Sequence, residues 1–234
     1  MGHLRERGPT SAPDDDAGRR RWSRRAGMGL IVVGIALLGY VGWQLWGTNY
    51  VSQRAQDRIR DAVEEGWSSG QERVRVDGRG GPVSASAVVR IPRFGDDFAV
   101  PVVEGLSDTA LASGLAHDPD TTGPGGPGNY VLAGHRITHG QPFRDLPDLE
   151  IGDELVVETR DAVYTYVLDT AGDALEVPLD ASWVTAPLPV NPAGGVQPDA
   201  VDGDALITLV TCAELFHTDD RLVVFGHLAS QRAR

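Results

Sequence analysis

Three side chains of types that cooperate in acyl transfer stand at the ends of predicted strands. Cys212, the single cysteine among 234 residues, ends an apolar run that begins at Ala205, and Arg221 begins the next such run after a loop. If the two runs pair as antiparallel neighbours, the thiol and the guanidinium lie at the same end of a sheet. A guanidinium there would stabilise a thiolate and offer several fixed hydrogen-bond donors to a developing oxyanion.

A histidine completes the set of groups that this chemistry requires. His135 follows the run that begins at Asn129. A thiol nucleophile needs a proton acceptor and a leaving amine needs a proton donor, and histidine serves both near neutral pH. Spacing alone leaves other readings open. A lone cysteine such as Cys212 is more often a buried small apolar residue, and Arg221 could instead pair with one of the two aspartates before it.

The elements that must position these residues are short strands rather than long helices. Alternating apolar residues, 29 glycines and 15 prolines predict many short strands separated by turns, which is typical of an all-β barrel or sandwich. One short helix is predicted over residues 107–117, with Ser107 or Asp108 as its cap. The candidate strands are Ala87–Ile91, Phe98–Val102, Tyr130–Ala133, Glu154–Thr159, Val163–Asp169, Ala205–Thr211 and Leu222–Phe225.

An uncharged segment from Ala26 to Gln53 precedes these strands, and its most apolar part runs from Met28 to Trp46. A helix needs about 20 such residues to cross a bilayer. Five arginines between residues 19 and 25 predict, by the positive-inside rule, that the N-terminus is cytoplasmic and that the chain after residue 50 is exported. A cleaved signal peptide is the alternative, but no small-x-small cleavage site follows the apolar run.

These features predict four regions. Residues 1–25 form a cytoplasmic tail, 26–49 a transmembrane anchor, 50–83 a juxtamembrane helix with a linker, and 84–234 the catalytic domain. The linker is assigned to residues 66–86, which are rich in glycine and serine. The juxtamembrane helix has an apolar face at helical spacing, composed of Val51, Ala55, Ile59, Ala62, Val63 and Trp67.

Charge and composition exclude several other functions. The net charge of −12 argues against a nucleic-acid partner, because a phosphate-binding protein needs a basic face. A single cysteine excludes a cysteine-based structural zinc site. We expect no metal site and no cofactor, and we interpret the remaining histidines of the exported part as surface or loop residues: His117, His139, His217 and His227.

From about Val88 to Leu228 the chain resembles the sortases, the surface-protein transpeptidases of Gram-positive bacteria. The segment 208–212 is similar to the TLxTC box of that family, Arg221 follows the cysteine by nine positions, and Gly134-His135-Arg136 resembles the histidine segment. Further similar stretches are Ile91-Pro92, Pro101–Gly105, Gln141-Pro142-Phe143 and Ile151-Gly152-Asp153. All 21 basic residues are arginine, and in this composition the chain is most similar to class E sortases of actinobacteria.

This resemblance implies a closed eight-stranded β-barrel and a two-step transpeptidation. Cys212 would attack the Thr–Gly bond of an LPxTG-type sorting motif, which is LAxTG in class E, in exported surface proteins. A cell-wall precursor amine would then resolve the thioacyl enzyme. His135 would transfer protons, Arg221 would stabilise the oxyanion, and Thr211 would shape the substrate groove. The location implied is the cell membrane, with a single span and an extracellular catalytic domain.

Two other functions are compatible with the same sequence. A cysteine peptidase would employ the same three residues with water as the acceptor. A non-catalytic, membrane-tethered extracellular β-barrel could serve as a binding module, although such a module has no need for the histidine, cysteine and arginine set.

Overall fold

The computed structural model describes residues 15–42, 48–78, 80–212 and 220–234. The chain divides into two compact units, residues 1–45 and residues 46–234. The first unit contains helix α1 (Asp15–Gly42), along which large apolar side chains from Met28 to Tyr40 are exposed. Among the described residues, no helix combines the length and apolar character needed to cross a membrane.

The second unit consists mainly of short strands, as the sequence predicts. Its helices are α2 (Thr48–Ser68) and the short α3 (Asp108–Leu111). The described strands are β1 (Val74–Gly78), β2 (Gly81–Arg90), β3 (Val100–Glu104), β4 (Leu115–His117), β5 (Gly128–Ala133), β6 (Glu154–Glu158), β7 (Ala162–Leu168), β8 (Glu176–Pro178), β9 (Ala205–Cys212) and β10 (Asp220–Ala233).

Eight of the described strands close into a barrel in the order β2-β3-β4-β5-β9-β10-β7-β6, because β6 pairs back with β2. The remaining two lie outside this ring, β1 beside β2 and β8 beside β10. Neighbours in the ring are antiparallel except for β3–β4 and β5–β9, which are parallel. The predicted closed eight-stranded barrel is therefore confirmed.

The barrel interior is filled by apolar side chains from all around the ring, including Val102, Leu132, Leu155, Tyr166 and Leu209. Strands β2 and β10 each pair with three others, and each has a register shift, after Ala85 and after Leu228 respectively. Such irregularities bend a strand and increase its twist, which allows a long strand to serve two parts of a closed sheet.

Helix α2 packs on the outside of the barrel against β1, β2 and β3. Ile59, Val63 and Trp67 are buried there with Val83 and Val103. The predicted apolar face is thus largely confirmed, although Val51 is exposed.

The predicted linker differs from the structure. Residues 74–78 form β1 and residues 81–90 form β2, so most of the segment expected as linker belongs to the sheet. Glycine and serine predict a loop over this segment, but the segment contributes Val83 and Ala85 to the apolar cluster beneath α2.

The helix predicted over residues 107–117 is also shorter than expected. Ser107 does cap it, because its hydroxyl oxygen accepts a hydrogen bond from the Ala110 amide. The helix ends at Leu111, and residues 115–117 form β4 beside β3 instead. Gly114 permits this close approach, since a Cβ there would collide with the carbonyl oxygen of Pro101.

The packing of α2 and β1 on the barrel predicts which truncated chains can still fold. A chain of residues 84–234 lacks α2, β1 and part of β2, whereas residues 48–234 keep them all. Burial of Ile59 and Val63 alone contributes about 1.5–3 kcal/mol each, a large part of the roughly 5–15 kcal/mol of a typical domain.

We therefore expect the 48–234 chain to unfold cooperatively on heating, and the 84–234 chain to aggregate or to lack a transition, as measured by circular dichroism and size-exclusion chromatography. Equal midpoints for the two chains would contradict this packing.

Candidate active site

Two strand pairings bring the three candidate residues to one edge of the barrel. Strands β5 and β9 run parallel, and their last paired residues are Ala133 and Val210. His135 and Cys212 each follow this pair by two positions. Strands β9 and β10 are antiparallel with Arg221 directly opposite Cys212, as the sequence predicts. The side chain of Cys212 and residues 213–219 lie outside the described part of the structure.

A groove of about 500 Å³ lies at this edge, and His135, Thr211 and Arg221 all line it. Other parts of its lining are apolar and come from separate elements: Leu106 and Leu111 beside α3, Val131 of β5, Val177 of β8 and Val184. The groove therefore places two groups that can take part in acyl transfer, the imidazole of His135 and the guanidinium of Arg221, beside an apolar surface, a combination typical of ligand-binding sites.

His135 is half-buried, and its ring stacks on that of His139 with centroids 4.6 Å apart. Burial, reinforced by repulsion from His139, lowers the pKa of His135 from 6.5 to about 4, against the opposing influence of Asp108. The backbone is fixed as well, because the Phe143 amide donates to the His135 carbonyl oxygen at 3.1 Å. In the free groove the imidazole is consequently neutral at pH 7.

Arg221 is held between two strands. In β10 it pairs with Cys212 of β9 on one side and with Val177 of β8 on the other. The half-buried side chain donates from Nη1 to the Asp220 carbonyl oxygen at 2.9 Å. Pairing on both sides fixes the backbone of Arg221 relative to the end of β9.

Thr211 has a bracing contact in addition to its place in the groove. Its buried hydroxyl donates to the Gly134 carbonyl oxygen at 2.8 Å, directly before His135. Three residues earlier in β9, the Thr208 hydroxyl donates to Asn129 Oδ1 at 2.7 Å. The threonines of the 208–212 segment thus tie β9 to β5, the strand that precedes His135.

Three residues in or near the segment after His135 were not predicted to belong to the site. His139, expected at the surface or in a loop, lies in a turn, and its ring contacts that of His135. Asn49 and Gln56 are buried on α2 and hydrogen-bond to residues 137–140. The sequence does give a signal for His139, because it follows His135 by four positions. No feature of the sequence indicates that α2 contacts this loop.

Two further described histidines, His117 and His227, do not line the groove. His117 was expected at the surface, but this interpretation was wrong: it is buried in β4, where Nδ1 lies 2.9 Å from Glu104 Oε2. His227 of β10 pairs with Asp169 at 2.6 Å. His217 lies outside the described residues. Within the described ranges, no three histidine, cysteine or carboxylate side chains form a group that could hold a metal ion.

Comparison with known proteins gives a consistent result. Residues 89–229 match the model of the sortase domain. Sortase SrtE1 of Streptomyces coelicolor is 32% identical over 224 residues, which is 91% of this chain, and the chain spans 58% of that relative's length. Sortase SrtE2 of the same organism is 31% identical over 231 residues, covering 90% of this chain and 86% of the relative.

Solved structures show the same similarity. Sortase E from Streptomyces avermitilis superposes with a TM-score of 0.54 at 35% identity, covering 63% of this chain and 89% of that one. Sortase E1 from Streptomyces coelicolor, solved with a tripeptide in its active site, superposes with a TM-score of 0.52 at 32% identity, covering 63% and 90%.

The burial of His135 predicts an unusual titration. In the full chain labelled with ¹³C at histidine, we expect the His135 signal, identified by its loss in His135→Gln, to titrate at about pH 4. The unfolded chain in urea provides the control, with an ordinary pKa of about 6.5. Because the folded pKa is the lower one, the stability contributed by the neutral ring is present above pH 6.5 and is lost as the pH falls towards 4. A His135 midpoint at or above 6.5 would contradict the burial described.

Proposed function

The chain belongs to the sortase family, and we propose that it is a membrane-anchored cysteine transpeptidase. It cleaves an LPxTG- or LAxTG-type sorting motif between threonine and glycine and transfers the acyl group to a cell-wall amine. The observation that carries this proposal is the groove at the end of β9, in which His135 and Arg221 lie beside the strand that ends at Cys212.

The first half of the reaction forms a thioester. Cys212 transfers its thiol proton to His135, and its sulfur attacks the threonine carbonyl carbon. The carbonyl oxygen becomes an oxyanion, which the fixed guanidinium of Arg221 stabilises. The C–N bond then breaks as His135 donates the proton to the departing glycine amine.

The second half reverses the direction of proton transfer. An incoming amine attacks the thioester carbon and loses a proton to His135, the new amide forms, and the sulfur leaves and is reprotonated. A pKa of about 4 makes the imidazolium of His135 a strong acid, which favours proton delivery to the leaving amine. It also keeps the resting imidazole neutral at pH 7.

The groove fits a peptide with an apolar residue upstream of the cleaved bond. Leu106, Leu111, Val177 and Val184 form an apolar wall beside the catalytic residues. The tripeptide in the active site of the Streptomyces coelicolor relative supports the same class of substrate for this chain. Thr211, which lines the groove and supports Gly134, would act on substrate position through both contacts.

Residues 26–49 are proposed as the membrane anchor, with residues 1–25 in the cytoplasm and the barrel outside the cell. The uncharged segment from Ala26 to Gln53 and the arginines before it support this arrangement. The large apolar side chains that α1 exposes are also of the kind that lipid accommodates. Tethering would keep the barrel at the surface where precursors of the cell wall are available.

Substitutions in the groove test the chemistry. In the full chain, Cys212→Ala should abolish both peptide cleavage and the thioacyl adduct seen by mass spectrometry. Arg221→Lys should lower kcat about 10²–10³-fold, because an ammonium lacks the planar set of donors. Arg232→Lys, the same change at the far end of β10, is the matched control.

The assay uses LPxTG and LAxTG peptides with and without diglycine or diaminopimelate. Amine-dependent products are expected, whereas products formed only with water would identify a peptidase. Normal turnover by Cys212→Ala would refute the proposed nucleophile.

The anchor is tested by fractionation. The full chain should remain with membranes after carbonate and salt washing and should require detergent for extraction, because an apolar helix of about 20 residues stays in the bilayer. Residues 48–234, exported through a cleavable leader, should appear in the soluble fraction. Release of the intact full chain by carbonate would contradict the anchor.

A further inference from the structure

Helix α2 has a buried face that changes character along its length. Its C-terminal half buries apolar side chains against the barrel, whereas its N-terminal half buries Asn49, Ser52 and Gln56, of which Ser52 is fully inaccessible. Burying an amide without a partner costs several kcal/mol, of the order of 2–7. Amides on this half of the face therefore indicate specific polar partners across the interface.

Those partners are backbone groups of residues 137–140, directly after His135. Gln56 Nε2 donates to the His139 carbonyl oxygen at 3.0 Å. Asn49 Oδ1 accepts from the Gly140 amide at 3.3 Å, and Asn49 Nδ2 donates to the Ile137 carbonyl oxygen at 3.5 Å. The approach is close, since a Cβ at Gly140 would lie 2.9 Å from Gln56 Nε2.

The turn that receives these hydrogen bonds has a conformation that needs support. Three consecutive residues are left-handed: His139 at φ 53°, Gly140 at φ 86° and Gln141 at φ 58°. For the two non-glycine residues this conformation costs of the order of 1–3 kcal/mol each and persists only where surrounding contacts fix it. The amides of α2 supply such contacts from outside the turn.

The same turn determines where the His139 ring lies. That ring is stacked on His135, with centroids 4.6 Å apart and planes 28° from parallel. A change in the turn would move His139, and with it one wall of the space that the His135 ring occupies. Gln56 therefore influences the groove indirectly. It holds the backbone of His139, and the ring of His139 in turn packs against the ring of His135.

We propose that Gln56 and Asn49 are positioning residues for His135, which they orient by holding the 137–141 turn so that the His139 ring packs against the His135 ring. This inference rests on the proposed function, in which His135 transfers protons. Because the His135 ring must be aligned with the reacting atoms mainly in the transition state, the contribution falls on kcat more than on KM.

The test uses the full chain in detergent micelles and two matched variants of α2. Gln56→Met keeps the length of the side chain and removes its donor. Gln53→Met is the same change one turn away on the exposed side of the helix. We expect Gln56→Met to lower kcat roughly tenfold with less than a twofold change in KM, and Gln53→Met to change neither.

A double-mutant cycle separates positioning from simple destabilisation. His139→Ala should lower kcat by a similar factor, and adding Gln56→Met to it should have less than a further twofold effect, because the two residues act in series. His139→Ala also serves as the second variant should Gln56→Met unfold. Additive losses, or full kcat in Gln56→Met, would overturn the proposal.

A measurement that does not depend on catalysis tests the positioning role separately from the transpeptidase function. In Gln56→Met the NMR titration midpoint of His135 should move from about 4 towards its ordinary 6.5, because the ring loses its stacked neighbour and becomes more exposed. An unchanged midpoint would overturn the positioning role even in an active enzyme. If the His135 midpoint shifts in Gln56→Met but the unmodified chain does not act on the peptides, the transpeptidase function is overturned and the positioning role is kept. Neither substitution alters a charged group around the groove, so a shift of the His135 midpoint cannot be due to a change of charge there. These groups are Asp108, Asp118, Asp180 and Arg221.

Discussion

The parallel pairing of β5 with β9 is the constraint on which the site depends. Both strands end at the same edge of the barrel, so residues that follow their last pair must lie close together. A slip of one residue would exchange the two faces of a strand and misplace His135 relative to Cys212. The Thr208–Asn129 and Thr211–Gly134 hydrogen bonds, both buried, hold the register at two points along the pair.

Helix α2 links the stability of the barrel to the geometry of the groove. Its apolar half covers the outer faces of β2 and β3, and its amide half contacts the turn after His135. A single helix therefore joins the surface of the sheet to the loop that follows His135. The boundary between the two halves falls between Gln56 and Ile59, within one helical turn.

The parts of the fold that could be predicted are those specified by local pattern. The short apolar run at residues 205–211 predicted β9, and its pairing with the run that begins at Arg221 was expected from their proximity in sequence. Strands β4 and β8 have only three residues each, too few for a period, and they exist because β3 and β10 offer them partners.

The candidate site was predictable where a proposed role is tied to residue type. Cys212, His135 and Arg221 were predicted because few side chains perform the roles proposed for them, and the strand order brings the ends of their strands to one edge of the barrel. His117 and Gln56 were not identified, because their partners, Glu104 and the His139 carbonyl, are brought near only by tertiary structure. A polar residue on a helix face gives no indication of a backbone acceptor 83 positions away.

One buried amide has a consequence for how the groove can diverge. Asn129 Nδ2 donates to the carbonyl oxygens of Val184 and Ala186, both at 3.1 Å, and so attaches the outer wall of the groove to β5. Because these acceptors belong to the main chain, the two hydrogen bonds do not depend on which side chains stand at positions 184 and 186. A substitution at this wall can therefore change the lining of the groove without removing its attachment to β5.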